Sequence, residues 1–328
     1  MDPLTDIVAL LRPHGAFSKP ITGRGRWGVR YEAHVAPSFC IVREGRCWFI
    51  TEGQAARLLE RGDFLLLPYT PAFSLVSELG ADCVPGRPSR KGVRHGDLKG
   101  SPDFSMIGGT FEIESVNAAL LGLMSQTIHL RAAEVDTGRL GSMLELILDE
   151  YEGDRPGRDV ILQHFLEAML VEALRWPSLG QDRISPSLTA GLRDEQIAIA
   201  LRAIHSDVRH GWTVAELAKR AGMSRSAFAA HFVATVGCAP VEYLSRWRMS
   251  LAQDALSRGG KSLDHLAEEI GYESASAFST AFRKRLGCPP GAFARSARRT
   301  GQLTATGVRK KLCKAEACIK DASVLTTA

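Results

Sequence analysis

The chain has 328 residues, 45% of them hydrophobic, and a net charge of +5, enough apolar mass for a sizeable core and a length that suggests two domains. No basic segment followed by a long apolar run opens it, and its most apolar helical stretch, Ile161 to Leu174, is interrupted by Gln163, His164, Glu167 and Glu172; this excludes a secretion signal and a membrane span there, and makes the cytoplasm the expected location. Seven cysteines with no paired CxxC motifs or spaced histidines exclude a structural zinc or disulfide framework.

Charge is unevenly distributed. Up to Arg193 there are 21 basic and 24 acidic residues, a net of −3; beyond it there are 20 and 12, a net of +8. A basic C-terminal region facing a polyanion is one reading, and a solvated basic face is the other.

From Trp27 to Phe73 the sequence reads as short strands. "RWGVRYEAHV" alternates apolar and polar residues, "SFCIVREGRCWFI" sets Glu44-Gly45-Arg46 between two apolar runs as a tight hairpin, and "RGDFLLLPYTPAF" is a turn, a buried strand and a proline stop. Short strands with such turns suggest a small β-barrel or sandwich. "CVPGRPSRKGVRHGDLKGSPD" reads as an exposed loop and "FSMIGGTFEI" as a return strand.

Two helices follow, Gly141 to Tyr151 and Arg158 to Trp176. The first carries Met143, Leu144, Ile147 and Leu148 on one side, and the second is apolar over more than half its circumference. A helix that apolar packs against its own domain and against a second surface, for which a second subunit is the candidate. "PSLGQDRISPSLTAGLRD" has linker composition. After Thr300 the chain reads as a loosely structured tail with Arg309, Lys310, Lys311 and Lys314.

Between these lies a repeat. Leu217, Ala218 and Gly222 recur as Leu266, Ala267 and Gly271 at an offset of 49; Phe228, Phe232, Gly237, Cys238 and Pro240 recur as Phe278, Phe282, Gly287, Cys288 and Pro290 at an offset of 50. Each copy fits a helix-turn-helix. The alanines let two helices cross closely, the glycines take the positive φ that ends the first helix, and Ser224 and Ser274 suit the N-caps of the second. The phenylalanines, four apart, share a buried face. The opposite face then shows Ser226, Ala229, Ala230 and Val233 in the first copy, with Arg225 at the helix start, and Ser276, Ser279, Thr280 and Arg283 in the second, with Ala275 at the edge. Val241 to Ser257, between the copies, reads as one helix of roughly 26 Å, a rod able to hold two recognition helices about one DNA turn, roughly 34 Å, apart. A protein-binding solenoid is the alternative, but two copies are few for one and the region is basic.

"TVAELAKRAGMSRSAFAAHFVATVGCAPVEYLSRWRM" followed by "SLDHLAEEIGYESASAFSTAFRKRLGCPPGAFARSAR" resembles the double helix-turn-helix domain of AraC-type transcription regulators, over Asp194 to about Arg299. The resemblance implies that the outward residues above face base edges in a major groove, and that Arg246 and Arg248 on the connecting helix contact phosphates. The first reading face offers no Arg, Gln or Asn for bidentate base contacts beyond Arg225 at its start. It is expected to sense thymine methyls or groove shape, with the polar readout left to Ser276, Ser279, Thr280 and Arg283.

The order "GVRYEAHVAPSFCIVREGRCWFI … RGDFLLLPYTPAF" resembles the cupin-like sensor half of one branch of these regulators. Metal-binding cupins hold their ion with histidines, and Cys40 and Phe73 stand where those would be expected; His34 is alone nearby. No metal and no cofactor are therefore expected, and a small-molecule pocket is. Alternation from Cys40 puts Val42 inward, and Trp48 and Phe73 are further candidate walls; all four also fit a plain barrel core. Cys40, Cys47 or Cys83 beside Arg43 or Arg46 would alternatively sense oxidants if accessible and acidified.

The expected protein is α+β and two-domain, regulatory rather than enzymatic: a cupin-like β-barrel with two helices over 1–176, a linker over 177–193, an all-α double helix-turn-helix over 194–299, and a basic, disordered tail over 300–328. Its expected partners are double-stranded promoter DNA, a small-molecule effector and a second copy of the chain, with RNA polymerase a further one. By the resemblance, activation is the commoner mode. The rivals are a cysteine-based redox regulator and a metal-dependent cupin enzyme with a DNA-binding module.

Overall fold

Apolar residues at every second position in the N-terminal half, and at every third or fourth in the C-terminal half, decide where strands and helices fall. The computed structural model describes residues 2–304 apart from 35, 87–90, 114–123, 125–126, 136–137, 154 and 176–185. The chain begins with α1 (Pro3–Leu11), β1 (Pro13–Arg24), β2 (Gly28–Tyr31), β3 (Ser38–Glu44), β4 (Arg46–Thr51), β5 (Arg57–Glu60) and β6 (Phe64–Leu67). It continues through β7 (Phe73–Val76), β8 (Val84–Pro85), β9 (Val93–Gly96), β10 (Phe104–Ile113), β11 (Ile128–Leu130), α2 (Ala132–Val135), α3 (Arg139–Glu152) and α4 (Arg158–Arg175). The remainder is helical: α5 (Leu188–Arg193), α6 (Glu195–Ser206), α7 (Val214–Arg220), α8 (Arg225–Val236), α9 (Pro240–Arg258), α10 (Leu263–Glu269), α11 (Ala275–Leu286) and α12 (Pro290–Thr304). Among the described residues, 2–6, 195–233 and 238–304 form one compact unit, and those within 7–194 and 234–237 the other.

The second of these units holds two sheets, ordered β11-β6-β3-β10-β1-β9 and β5-β4-β7-β2-β8. Ile21, Cys40, Val42, Leu65, Leu67, Phe104 and Met106 from the first sheet meet Val29, Cys47, Phe49, Leu59 and Leu75 from the second in one core. The first sheet is buried on its other face too: β3 and β6 read as continuous buried runs, with Phe39, Ile41, Phe64 and Leu66 turned away from that core, and α4 packs on β1. Such double burial gives a near-continuous apolar run instead of alternation.

Three sequence expectations change here. Glu44-Gly45-Arg46 is a corner and not a hairpin: β3 pairs with β6 and β10, whereas β4 pairs with β5 and β7, so the turn carries the chain from one sheet to the other. Gly45 is required there, because its φ is +71° and a Cβ would stand 2.3 Å from the Asp103 carbonyl. The supposed exposed loop contains β8 and β9, which join β2 and β1 in parallel pairs. And the strands, expected from Trp27 onward, begin earlier with β1, the longest described strand, paired along most of its length with β10.

The two predicted helices are α3 and α4, and they pack on each other. Leu144 and Ile147 are buried within their own unit, with Leu162, Leu166, Met169 and Leu170; Leu146, Val160 and Ile161 are the large apolar side chains these helices leave exposed. The expected linker contains α5, capped by Ser187, whose Oγ accepts the Ala190 N–H at 3.1 Å; residues 176–185 lie outside the described ones. The last helix runs to Thr304, beyond the expected start of the tail, and 305–328 also lie outside the described residues. No single described helix is long and apolar enough to cross a membrane.

Candidate nucleic-acid interface

The repeated sequence folds twice into the same local geometry. In the first copy, Thr213 Oγ1 accepts the Glu216 N–H at 3.2 Å while the Glu216 carboxylate accepts the Thr213 N–H at 2.9 Å, a capping box that starts α7. Gly222, at φ +68°, then ends it, with the Met223 N–H donating to the Ala218 carbonyl at 2.9 Å. The second copy repeats this: Ser262 caps α10, Gly271 has φ +79°, and the Tyr272 N–H donates to Ala267 at 2.8 Å. These are left-handed helix ends that favour glycine.

Both second helices begin as expected, Ser224 accepting the Ala227 N–H at 3.3 Å and Ser274 the Ala277 N–H at 3.1 Å. Phe228 and Phe232 are fully buried with ring centroids 5.7 Å apart; Phe278 and Phe282 are fully buried at 5.6 Å. Burying those rings turns a defined stripe outward. On α8 it is Arg225, Ser226, Ala227, Ala230, Val233 and Ala234, and on α11 it is Ser276, Ala277, Thr280, Arg283 and Lys284. Ala229 and Ser279, assigned to the reading faces from sequence, are half-buried at the edges, and so is Ala275, which was expected there. Ala227, Ala234, Ala277 and Lys284 were missed from the outward stripes. A rotation of 100° per residue, counted from Phe228 and Phe278, contains the signal that finds them.

The first stripe is apolar apart from Arg225 and Ser226; the second carries Arg283 and Lys284. Thr280 Oγ1 donates to the Ser276 carbonyl at 3.0 Å, so its hydroxyl faces outward as an acceptor beside its methyl group.

The two arginines of the connecting helix, from which phosphate contacts are expected, both have protein partners. Arg246 pairs with Glu242, Nε to Oε1 3.0 Å, and Arg285 approaches the same carboxylate at 3.6 Å. Burial alone would raise the Glu242 carboxyl, but these two guanidinium groups outweigh it and hold it below the usual range. Arg248 directs Nε and Nη2 at the backbone carbonyls of Val208, Arg209 and His210.

In the β-rich unit Cys40, Val42 and Phe73 face the core as expected, Phe73 stacking with Tyr31 at 5.1 Å and lying tilted against Phe49 at 5.3 Å. Trp48 does not: on β4 the buried positions are Cys47, Phe49 and Thr51, so Trp48 lies on the opposite face of the sheet. The inward residues are packed as core. A pocket of about 580 Å³ opens instead at one end of the sandwich, floored by Trp27 and Phe104, whose rings lie 5.2 Å apart, and rimmed by Arg46, Glu60, Arg61 and Asp103. The buried Trp27 indole N–H has no acceptor among the described residues.

Burial pushes the Cys40 thiol up to about 12, with Asp63 adding to the shift, and raises Cys47 well above the ordinary thiol range. Both shifts oppose the thiolate that oxidant sensing requires. Cys83 is exposed. Among the described residues no group of three or more His, Cys, Asp or Glu side chains converges as a metal site. His34 bridges to Thr70 and lies 3.3 Å from the Ser38 hydroxyl.

Residues 2–177 match the profile of a cupin family, and residues 217–296 that of a helix-turn-helix domain. A protein of Streptomyces antibioticus described as an AraC-like transcription regulator is 35% identical over 298 residues, covering 89% of this chain and 98% of that protein. One of Streptomyces lividans, described in the same words, is 34% identical over 297 residues, with coverage of 89% and 98%. The HTH-type transcriptional regulator AlkR of Acinetobacter baylyi is 28% identical over 274 residues, covering 80% of this chain and 89% of that protein.

Proposed function

We propose, for a chain that belongs to the AraC-type family of DNA-binding transcription regulators with a cupin-like N-terminal domain, that it binds promoter DNA as a homodimer in the cytoplasm and activates transcription when a small molecule occupies its sensing unit. The observation that carries the reading is the pair of matched helices α8 and α11, each with its phenylalanines buried and a stripe turned outward. Two such helices on one unit suit successive major-groove segments. The α11 stripe, with Ser276, Thr280, Arg283 and Lys284, supplies the polar contacts, and the α8 stripe supplies apolar contact and shape.

Footprinting of the full chain on the DNA upstream of its own gene tests this. Protection of two base blocks, weakening steeply as salt is raised, is the expected result; a salt-insensitive or unprotected promoter rejects it.

Effector control is supported by the pocket at the sandwich end, whose volume suits a small ligand. We assign the effector to this mouth and not to the packed interior around Cys40 and Val42. Exposed Leu146, Val160 and Ile161 support pairing of α3 and α4 with a second copy. RNA polymerase is the further partner that an activator requires.

A further inference from the structure

Both reading helices can engage one duplex only if the halves that carry them keep a fixed relation, and α9 divides its contacts between those halves. Its first part packs on the first copy: Tyr243 meets Phe232 at 6.1 Å between ring centroids, and Trp247 stacks on His205 at 4.3 Å. Its later part packs on the second copy, Met249, Ala252 and Leu256 joining Leu266, Ala267, Ile270, Phe278 and Phe282 in one core. Arg248 stands at the changeover.

Its side chain touches both halves. Nε donates to the Val208 carbonyl at 3.0 Å, and Nη2 donates to Val208, Arg209 and His210 at 2.8, 3.2 and 3.0 Å, all in the segment that follows α6. On the other side the guanidinium carbon lies 5.7 Å from the centroid of Tyr272, a cation–π distance. It also lies against Gly271, where a Cβ would come within 2.4 Å of Nη2 and 2.5 Å of the Arg209 carbonyl. Gly271 and Tyr272 form the turn between α10 and α11. A planar fork that satisfies several carbonyls and stacks on a ring is a role lysine does not reproduce.

We propose that Arg248 is a positioning residue that fixes the two reading helices relative to each other, so that the protein accepts operators with only one spacing between their two base blocks. The inference rests on the reading of α8 and α11 as DNA-reading helices. With the fork in place, moving the second block by one base pair turns it about 35° around the duplex, out of reach of α11. Without it, the halves swivel about α9 and tolerate the change.

The test uses the full chain and duplexes selected from a randomised pool by the unsubstituted protein, with the spacer between blocks then lengthened or shortened by one base pair. The unsubstituted protein is expected to lose about tenfold or more in affinity on either change, whereas Arg248→Met binds the selected duplex roughly tenfold more weakly yet loses less than about threefold when the spacer changes. Arg248→Lys, which keeps the charge and one donor, should fall between them and stands in if the methionine variant does not fold. Tyr272→Leu, which loosens the same contact from the second half, should also reduce the spacer penalty. An unchanged spacer penalty in these folded variants would show that Arg248 only adds stability, and overturns the proposal, as does an unsubstituted protein indifferent to spacing. If that protein selects no duplex at all, the DNA-binding reading falls, and this inference falls with it.

Discussion

His205 Nδ1 lies 3.0 Å from Asp6 Oδ2, and its Nε2 lies 2.8 Å from the Tyr243 hydroxyl, with the ring fully buried. Burial pushes the imidazole down to about 4 against the opposing pull of Asp6, so the ring is neutral at physiological pH. It donates from Nδ1 to the carboxylate and accepts from Tyr243, whose own hydroxyl burial raises far above its ordinary value.

An unfolded histidine takes up its proton near 6.5, but the folded His205 does so only near 4. The unfolded state therefore binds more protons between those values, and stability falls as pH drops through that window. Chemical denaturation at pH 7.5 and pH 5 should show a loss at the lower pH that shrinks in His205→Gln. An equal loss in both proteins would mean that another group governs the acid response. Tyr243→Phe, which leaves Nε2 without its donor, should cost about 1–3 kcal/mol at pH 7.5.

The matched phenylalanines should behave alike. Phe228→Ala and Phe278→Ala each remove a fully buried ring and should cost about 3–5 kcal/mol, measured by urea unfolding. The matched glycines should not. Gly222→Ala meets nothing within 4 Å and costs only its left-handed backbone, about 1–3 kcal/mol, whereas Gly271→Ala also drives a methyl group into the Arg209 carbonyl and should cost more. Equal costs for the glycines would contradict that packing.

Base discrimination should be concentrated on α11. Arg283→Ala is expected to weaken binding to a selected operator by about 1–3 kcal/mol and to flatten preference at one base pair, while Ala230→Ser changes preference little. Thr280→Val, which keeps a methyl group but loses the outward acceptor, should alter preference more than Ala230→Ser. Comparable losses at Arg283 and Ala230 against base-substituted duplexes would remove the asymmetry between the two copies.

Thiol reactivity separates effector control from redox control. Cys83, exposed, should be alkylated rapidly by iodoacetamide in the native protein, and Cys40 and Cys47, buried with raised thiols, only on unfolding. Peptide mass spectrometry after brief labelling checks this; rapid native labelling of Cys40 would restore the oxidant-sensing reading.

The repeat was legible in the sequence because everything that defines it is local. Caps, positive-φ glycines and rings four residues apart act within a single helix-turn-helix, so Ser224, Gly222, Phe228 and Phe232 announce their roles without knowledge of the rest of the chain. The inward direction of Cys40 and Val42 was legible for the same reason, since alternation holds along one strand. It does not carry across a turn. The corner at Gly45 resets the phase and the sheet, which is why Cys47 and Phe49 point inward and Trp48 does not.

What only the tertiary structure decided are the partners that distant segments bring. Arg248 looks from sequence like an exposed cation on a basic helix, and its carbonyl acceptors lie 38 to 40 residues earlier. His205 meets an acid 199 residues away. The pocket at the sandwich end draws Trp27, Arg46, Glu60 and Asp103 from four separate turns and strand ends. Periodicity fixes which face of an element is buried, because burial follows from its own apolar pattern. Which charged or polar group that face then meets depends on chain closure over long separations, and no local pattern encodes it.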